Sequence, residues 1–185
     1  MAHLKTLDPN QAEGKLKELF DAVNYKMGLV PNVMRIMGNS SIVLEAYLAY
    51  DQALSKSSIG RELNELIAIT IATINECDYC NAAHTFLALK LGIDIQSIEL
   101  AREAVSTDRK ISAALQFVKE AVLFRGHTST LGVEKLKTAG FDDAAIVEII
   151  AAISLNVFTN YLNTIAHTAL DFPNFSSINQ HQTNI

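Results

Sequence analysis

Cysteine is scarce in this chain: Cys77 and Cys80 are the only two in 185 residues. So small a complement is not a disulfide framework. Spaced CxxC, the pair reads as redox or metal chemistry before it reads as a structural staple. A long basic run is missing and the net charge is −5, which argues against nucleic acid as the main partner. Residues 1–5, Met-Ala-His-Leu-Lys, lack the apolar core of a signal peptide. The longest apolar run, residues 66–74, falls far short of the ~20 residues that span a bilayer. The expectation is a soluble, cytoplasmic protein with no membrane partner. Strand alternation is missing as well, because valine and isoleucine recur at helical spacing. The fold class expected is therefore all-α, in one domain over residues 1–173, followed by a polar tail at 174–185.

Hydrophobic residues make up 49% of the chain and the mean hydropathy is +0.18, which is apolar for a soluble protein. Either the core is large, or apolar surface is buried between subunits. Helices are predicted over 9–27, from Pro31 to about residue 38, and over 41–54, 61–75, 77–91, 94–104, 108–124 and 131–138. A last one runs from Asp142 to about residue 169, with a break near Thr159. The helix at 61–75 carries Leu63, Leu66, Ile67, Thr70, Ile71 and Ile74 with Ala68, Ile69 and Ala72 between them. So little of it is polar that it should be central and buried.

Chemistry concentrates just after that helix, in Cys77-Asp-Tyr-Cys80-Asn-Ala-Ala-His84. A cysteine reacts as the thiolate, and an ordinary thiol with a pKa of ~8.5 is mostly protonated at neutral pH. Both cysteines fall where a helix starts, so its unpaired N–H groups and dipole favour negative charge. Cys80 and His84 are i and i+4, on one face, which lets the imidazole take the thiol proton. Glu65, on the preceding helix, can orient that imidazole if the two helices fold back on each other. Cys80, nearest the base, is then the sulfur that attacks a peroxide and becomes a sulfenic acid, and Cys77 closes the disulfide. An external dithiol restores the pair, with Cys77 expected to be the more accessible sulfur. The alternatives are a general disulfide reductase or redox sensor, a zinc site built from the same four side chains, or a purely structural helical oligomer. Glu62 is the rival carboxylate. Tyr79 reads equally as packing. His3 is expected to be solvated, and His127 and His181 have no evident partner.

Shifted by 83 residues, part of the chain matches itself. Glu65 falls on Glu148, and Ala83-His84-Thr85 on Ala166-His167-Thr168, while Cys77 and Cys80 fall on Asn160 and Asn163. Chance among alanine- and isoleucine-rich helices is one explanation of this degenerate echo over 144–170. A duplicated helical pair is the other. In that case Glu148 and His167 keep a structural hydrogen bond or line the same pocket.

These residues resemble the alkylhydroperoxidase D-like branch of the carboxymuconolactone decarboxylase family. The likeness runs through Arg61-Glu-Leu-Asn-Glu65-Leu, the CxxCxxxH stretch and Leu91-Gly92, and so covers residues 61–92 most strongly. Gly28-Leu-Val-Pro-Asn32 and Asp171-Phe-Pro173 are similar to the peroxidase-related members. The resemblance implies a helical fold with a duplicated core, assembled as a homotrimer or homohexamer. It implies thiol-dependent reduction of hydroperoxides, with no cofactor and no metal, served by a lipoyl- or thioredoxin-like dithiol. It maps the proton relay onto Glu65 and His84, the attacking cysteine onto Cys80 and the resolving one onto Cys77. One departure is Tyr79, which stands where the best-known alkylhydroperoxidase D enzymes have a relay histidine. A tyrosine with a pKa of ~10 is a poorer base at neutral pH. Decarboxylase members lack the cysteine pair, so the thiols argue against lactone decarboxylation.

Overall fold

Several helix boundaries are written in the local sequence. The computed structural model describes residues 3–173, and the predicted polar tail at 174–185 lies outside them. A short 3-10 turn at Pro9–Gln11 precedes α1 (Gly14–Met27), α2 (Asn32–Met37), α3 (Ser41–Leu54), α4 (Gly60–Ile74) and α5 (Asp78–Lys90). Then come α6 (Ile95–Arg102), α7 (Arg109–Leu123), α8 (Thr130–Thr138) and α9 (Asp143–Ala166). No strand occurs among the described residues, in line with the all-α expectation.

Aspartates start three of these helices. Asp94 accepts from the Ser97 N–H at 2.9 Å, Asp108 from the Lys110 and Ile111 N–H groups at 2.7 and 2.9 Å, and Asp142 from that of Ala145 at 2.8 Å. Each satisfies donors that have no partner inside the first turn. Gly28 ends α1 in the left-handed region, φ 80°, with its N–H on the Asn24 carbonyl at 2.8 Å. The predicted helix over 9–27 is split, because Asp8 closes a turn on the Asn10 N–H at 3.0 Å before α1 begins. Pro31 caps α2 rather than opening it. The break expected near Thr159 does not occur. The Thr159 hydroxyl bonds back to the Asn156 carbonyl at 3.0 Å, so its polar group is satisfied within the helix. α9 runs on to Ala166, where His167 turns left-handed at φ 51°.

α4 is the axle of the fold. Residues 66–72 are all buried, so the helix needs neighbours on every side. α5, α6, α7 and α9 provide them. The hydroxyl of Thr70, buried with them, donates to the Ala101 carbonyl of α6 at 2.7 Å. One core cluster joins α4 to α6–α9 through Leu66, Ile98, Leu115, Leu136 and Ile149. A second cluster takes Phe20 and Val23 of α1, Met34 and Met37 of α2 and Leu44 of α3. Cys77, Tyr79, Cys80 and Ala83 belong to this second cluster. Burial of each large aliphatic side chain stabilises by roughly 1.5–3 kcal/mol, so the dithiol is built into a core.

α9 is long and apolar enough, by length and composition, to cross a membrane. It holds no long uninterrupted apolar run, because asparagine and threonine punctuate its second half. In the fold it packs against α4, α3, α2, α5, α7 and α8, with Asn160 and Asn163 buried.

Candidate redox site at the α4–α5 hairpin

Asn75, Glu76 and Cys77 reverse the chain between α4 and α5. Glu76 takes the left-handed conformation at φ 54°, and the Cys77 N–H returns to the Ala72 carbonyl at 2.9 Å. A glutamate there is a strained choice. The turn lays α5 back along α4.

Cys77 is the N-cap of α5, and its sulfur accepts from the Cys80 N–H at 3.3 Å. Cys80 lies in the first turn. Both sulfurs thus sit at the positive end of the helix, as the sequence suggested. The two are joined as a disulfide with Cα atoms 5.3 Å apart. Cys77 was expected to be the more accessible. It is 2% exposed and Cys80 3%, because helices α1–α3 roof the hairpin.

The fold-back also brings the predicted carboxylate to the predicted imidazole. His84 Nδ1 and Glu65 Oε2 are 2.8 Å apart, with side chains 24% and 20% exposed. A carboxylate only accepts, so Nδ1 carries the hydrogen and Nε2 is the nitrogen left to exchange a proton. Glu62, the rival carboxylate, is exposed and lines a different cleft, of about 430 Å³, beside Asp108, Lys110 and Phe141.

Tyr79 is committed to packing. Its hydroxyl accepts from the Val33 N–H at 3.3 Å, and its ring meets Phe172 edge-on, with centroids 5.7 Å apart. Burial, reinforced by nearby Asp171, holds its phenol well above the ordinary tyrosine range. Tyr47 of α3, packed against the same cluster, is pushed up too, by burial first and then by the charges of Asp51 and Glu65. Neither is a base at neutral pH. Asp171 accepts from the Asn32 N–H at 2.6 Å, which ties the two outlying segments of the sequence likeness together.

The second Glu–His pair does not meet. The Glu148 carboxylate receives the Ser58 N–H and hydroxyl at 2.9 and 2.6 Å, ahead of α4. His167 lies against His3, with ring centroids 4.1 Å apart. His3, exposed as expected, is also hydrogen-bonded from Nδ1 to the Ile165 carbonyl at 3.2 Å. The reason is covalent: the echo of the α4–α5 hairpin is one continuous helix. Nineteen residues along a helix separate two side chains by roughly 28 Å at 1.5 Å per residue. His127 is exposed in the α7–α8 connection, and His181 lies outside the described residues. No group of three or more His, Cys, Asp or Glu side chains is placed to share one ion among the described residues.

Two asparagines outside the CxxCxxxH motif complete the site. Asn163 Nδ2 donates to Cys80 Sγ at 3.3 Å, and Asn75 Nδ2 donates to Asn160 Oδ1 at 3.0 Å. The signal was present in the echo, which sets Asn160 and Asn163 on the cysteine positions.

Residues 43–121 match the model of the carboxymuconolactone decarboxylase family. No curated protein matches the chain. Among solved structures, an uncharacterized peroxidase-related protein from Silicibacter sp. TM1040 is 24% identical, with 91% of this chain and 94% of that one covered, at a TM-score of 0.78. A peroxidase-related protein from Ralstonia eutropha JMP134, described as an alkylhydroperoxidase AhpD core, is 18% identical over 92% of both chains, at a TM-score of 0.83. A cysteine-to-alanine variant of the debrominase Bmp8, in complex with 2,3,4-tribromopyrrole, is 20% identical over 92% of both chains, at a TM-score of 0.79.

Proposed function

Since residues 43–121 match the carboxymuconolactone decarboxylase family and the fold is that of alkylhydroperoxidase D-like proteins, we propose that this chain reduces alkyl hydroperoxides with its CxxC dithiol. The family and the disulfide fit an antioxidant enzyme of the peroxidase-related kind. The observation that carries the finer reading is the joining of a Glu65–His84 pair to a cysteine pair across one helical hairpin.

The cycle begins with Cys80 as a thiolate, its proton on His84 and the imidazolium held by Glu65. The sulfur attacks the terminal oxygen of the peroxide. The S–O bond forms, the O–O bond breaks, and the departing alkoxide leaves as the alcohol with a proton from His84. Cys80 is now a sulfenic acid. Cys77 attacks it, the S–S bond forms and water leaves. Two electrons from an external dithiol then reopen the disulfide by thiol exchange.

Burial of both sulfurs favours a slender reductant, such as a lipoyl arm, over the flatter face of a thioredoxin-like protein. It also disfavours the general disulfide reductase, whose substrates are folded proteins. A reducing, cytoplasmic setting suits a disulfide that must be reopened in each cycle. Self-association into a trimer or hexamer is part of the proposal. In its support, Val147, Ile150, Phe158, Tyr161 and Ile165 are exposed along one face of α9.

Turnover of an organic hydroperoxide with a dihydrolipoyl compound as the reductant tests the reading. Consumption that disappears in Cys80→Ser supports it. Equal consumption by Cys80→Ser, or none by the wild type under any dithiol, overturns it.

A further inference from the structure

Asn163 reaches the reactive cysteine from a different helix. It is 4% exposed, and its amide nitrogen donates to Cys80 Sγ at 3.3 Å. The amide oxygen on the same carbon is buried and has no hydrogen-bond partner among the described residues. Such an orphaned acceptor is costly in a fold unless a ligand meets it. One turn earlier Asn160 is wholly buried and held by Asn75, so this part of α9 is fixed against the hairpin.

We infer that Asn163 is a substrate-holding residue: its Nδ2 steadies the Cys80 thiolate, and its Oδ1 accepts the terminal O–H of the hydroperoxide. The inference rests on the peroxide reading. An N–H donated to the charged form of a thiol favours that form. An O–H held by Oδ1 sets the terminal oxygen beside the sulfur. When the S–O bond forms and the O–O bond breaks, sulfur is oxidised and the peroxide reduced. The transferred oxygen keeps its hydrogen, so the same O–H, now of the sulfenic acid, still points at Oδ1. The alkoxide takes its proton from His84, one turn further along α5.

The other ionisable groups around the hairpin do not duplicate this role. Glu65 and His84 form their own pair, Arg102 of α6 is committed to Asn81, Thr85 and Glu99, Glu76 and Asp78 are exposed at the turn, and Tyr47 and Tyr79 stay protonated. On α9, Glu148 is committed to Ser58, and Tyr161 is exposed.

The test uses a Cys77→Ser parent, in which Cys80 is the sole thiol, with Asn163→Leu, Asn163→Asp and Asn163→Ser added singly. The pH dependence of alkylation reads the thiol pKa. The rate with tert-butyl hydroperoxide, taken where the thiol is fully ionised, reads the substrate contact. Leu and Asp should both raise the thiol pKa, Asp more because it adds a negative charge. At full ionisation Leu should be slower by about tenfold or more. Asp, which keeps the acceptor, should stay within a few-fold of the parent, and Ser should restore part of both properties. An unchanged thiol pKa in Leu overturns the donor role, and an unchanged plateau rate in Leu overturns the substrate role. Circular dichroism shows which variants fold; if Leu does not, Asp and Ser decide the two arms. A parent that ignores peroxide while its thiol pKa responds to Asn163 overturns the peroxide reading and leaves the hydrogen bond to sulfur standing.

Discussion

Glu65 and His84 are nineteen residues apart in the chain and 2.8 Å apart in space. Glu148 and His167 have the same sequence separation and do not meet. The difference between them is a three-residue turn. Where Asn75-Glu76-Cys77 reverses the chain, a carboxylate and an imidazole become partners. Where α9 runs straight through the equivalent stretch, the same two residue types hold the turn before α4 and end a helix.

The Glu65–His84 contact gives the first expected outcome. In the proposed relay Glu65 holds the His84 imidazolium, which in turn favours the thiolate. Glu65→Gln keeps a hydrogen bond and removes the charge. The thiol pKa should rise, and the reaction at neutral pH should slow roughly tenfold. The pH profile of thiol alkylation measures it, and an unchanged profile removes Glu65 from the relay.

The two cysteines should separate cleanly. Cys80→Ser is expected to abolish peroxide consumption. Cys77→Ser should permit one attack and leave a sulfenic acid that a dimedone-type reagent traps. If the trapped adduct forms on Cys77 in Cys80→Ser instead, the roles are reversed.

Tyr79 gives an expectation about pH. Its phenol is held above the ordinary value of about 10 in the fold, so the folded state keeps a proton that the unfolded chain loses. Stability should be full below about pH 10 and fall progressively as pH rises above it. Tyr47 acts in the same direction. Urea midpoints measured from pH 8 to pH 11 check this, and Tyr79→Phe should flatten the decline. At neutral pH that variant loses one hydrogen bond, from the Val33 N–H, at a cost of about 1 kcal/mol. Peroxide turnover at neutral pH should survive, since a phenol that stays protonated is no part of the relay.

The apolar face of α9 should matter for assembly. Ile150→Glu combined with Tyr161→Glu places two charges on that face, and neither side chain is buried in the protomer. Sedimentation velocity should show a fall in mass from an oligomer to a monomer with helix content retained. An oligomer of unchanged mass would place the interface elsewhere.

Much of this molecule was legible in the chain. Helical spacing, aspartate caps and glycine stops placed the helices to within a few residues, because those signals are local. The Glu65–His84 contact was legible too, since a buried helix, a short turn and a second helix allow few arrangements. Three features were not. Thr159 sits in a run of asparagine and threonine that resembles a break, yet its hydroxyl is satisfied by its own helix. The roof of α1–α3 over Cys77 depends on contacts such as Phe20 and Leu44 that no spacing encodes. Asn163 meets Cys80 across 83 residues, the same interval as the echo, but a repeat in sequence does not say which of its members touch.

The most direct measurement is a count of free thiols per chain on fully reduced protein, before and after about one equivalent of an organic hydroperoxide. Reduction of the peroxide by the Cys77–Cys80 pair requires a fall from two thiols to none, reversed by a dithiol and absent in Cys80→Ser. Persistence of both thiols after exposure to peroxide would contradict it.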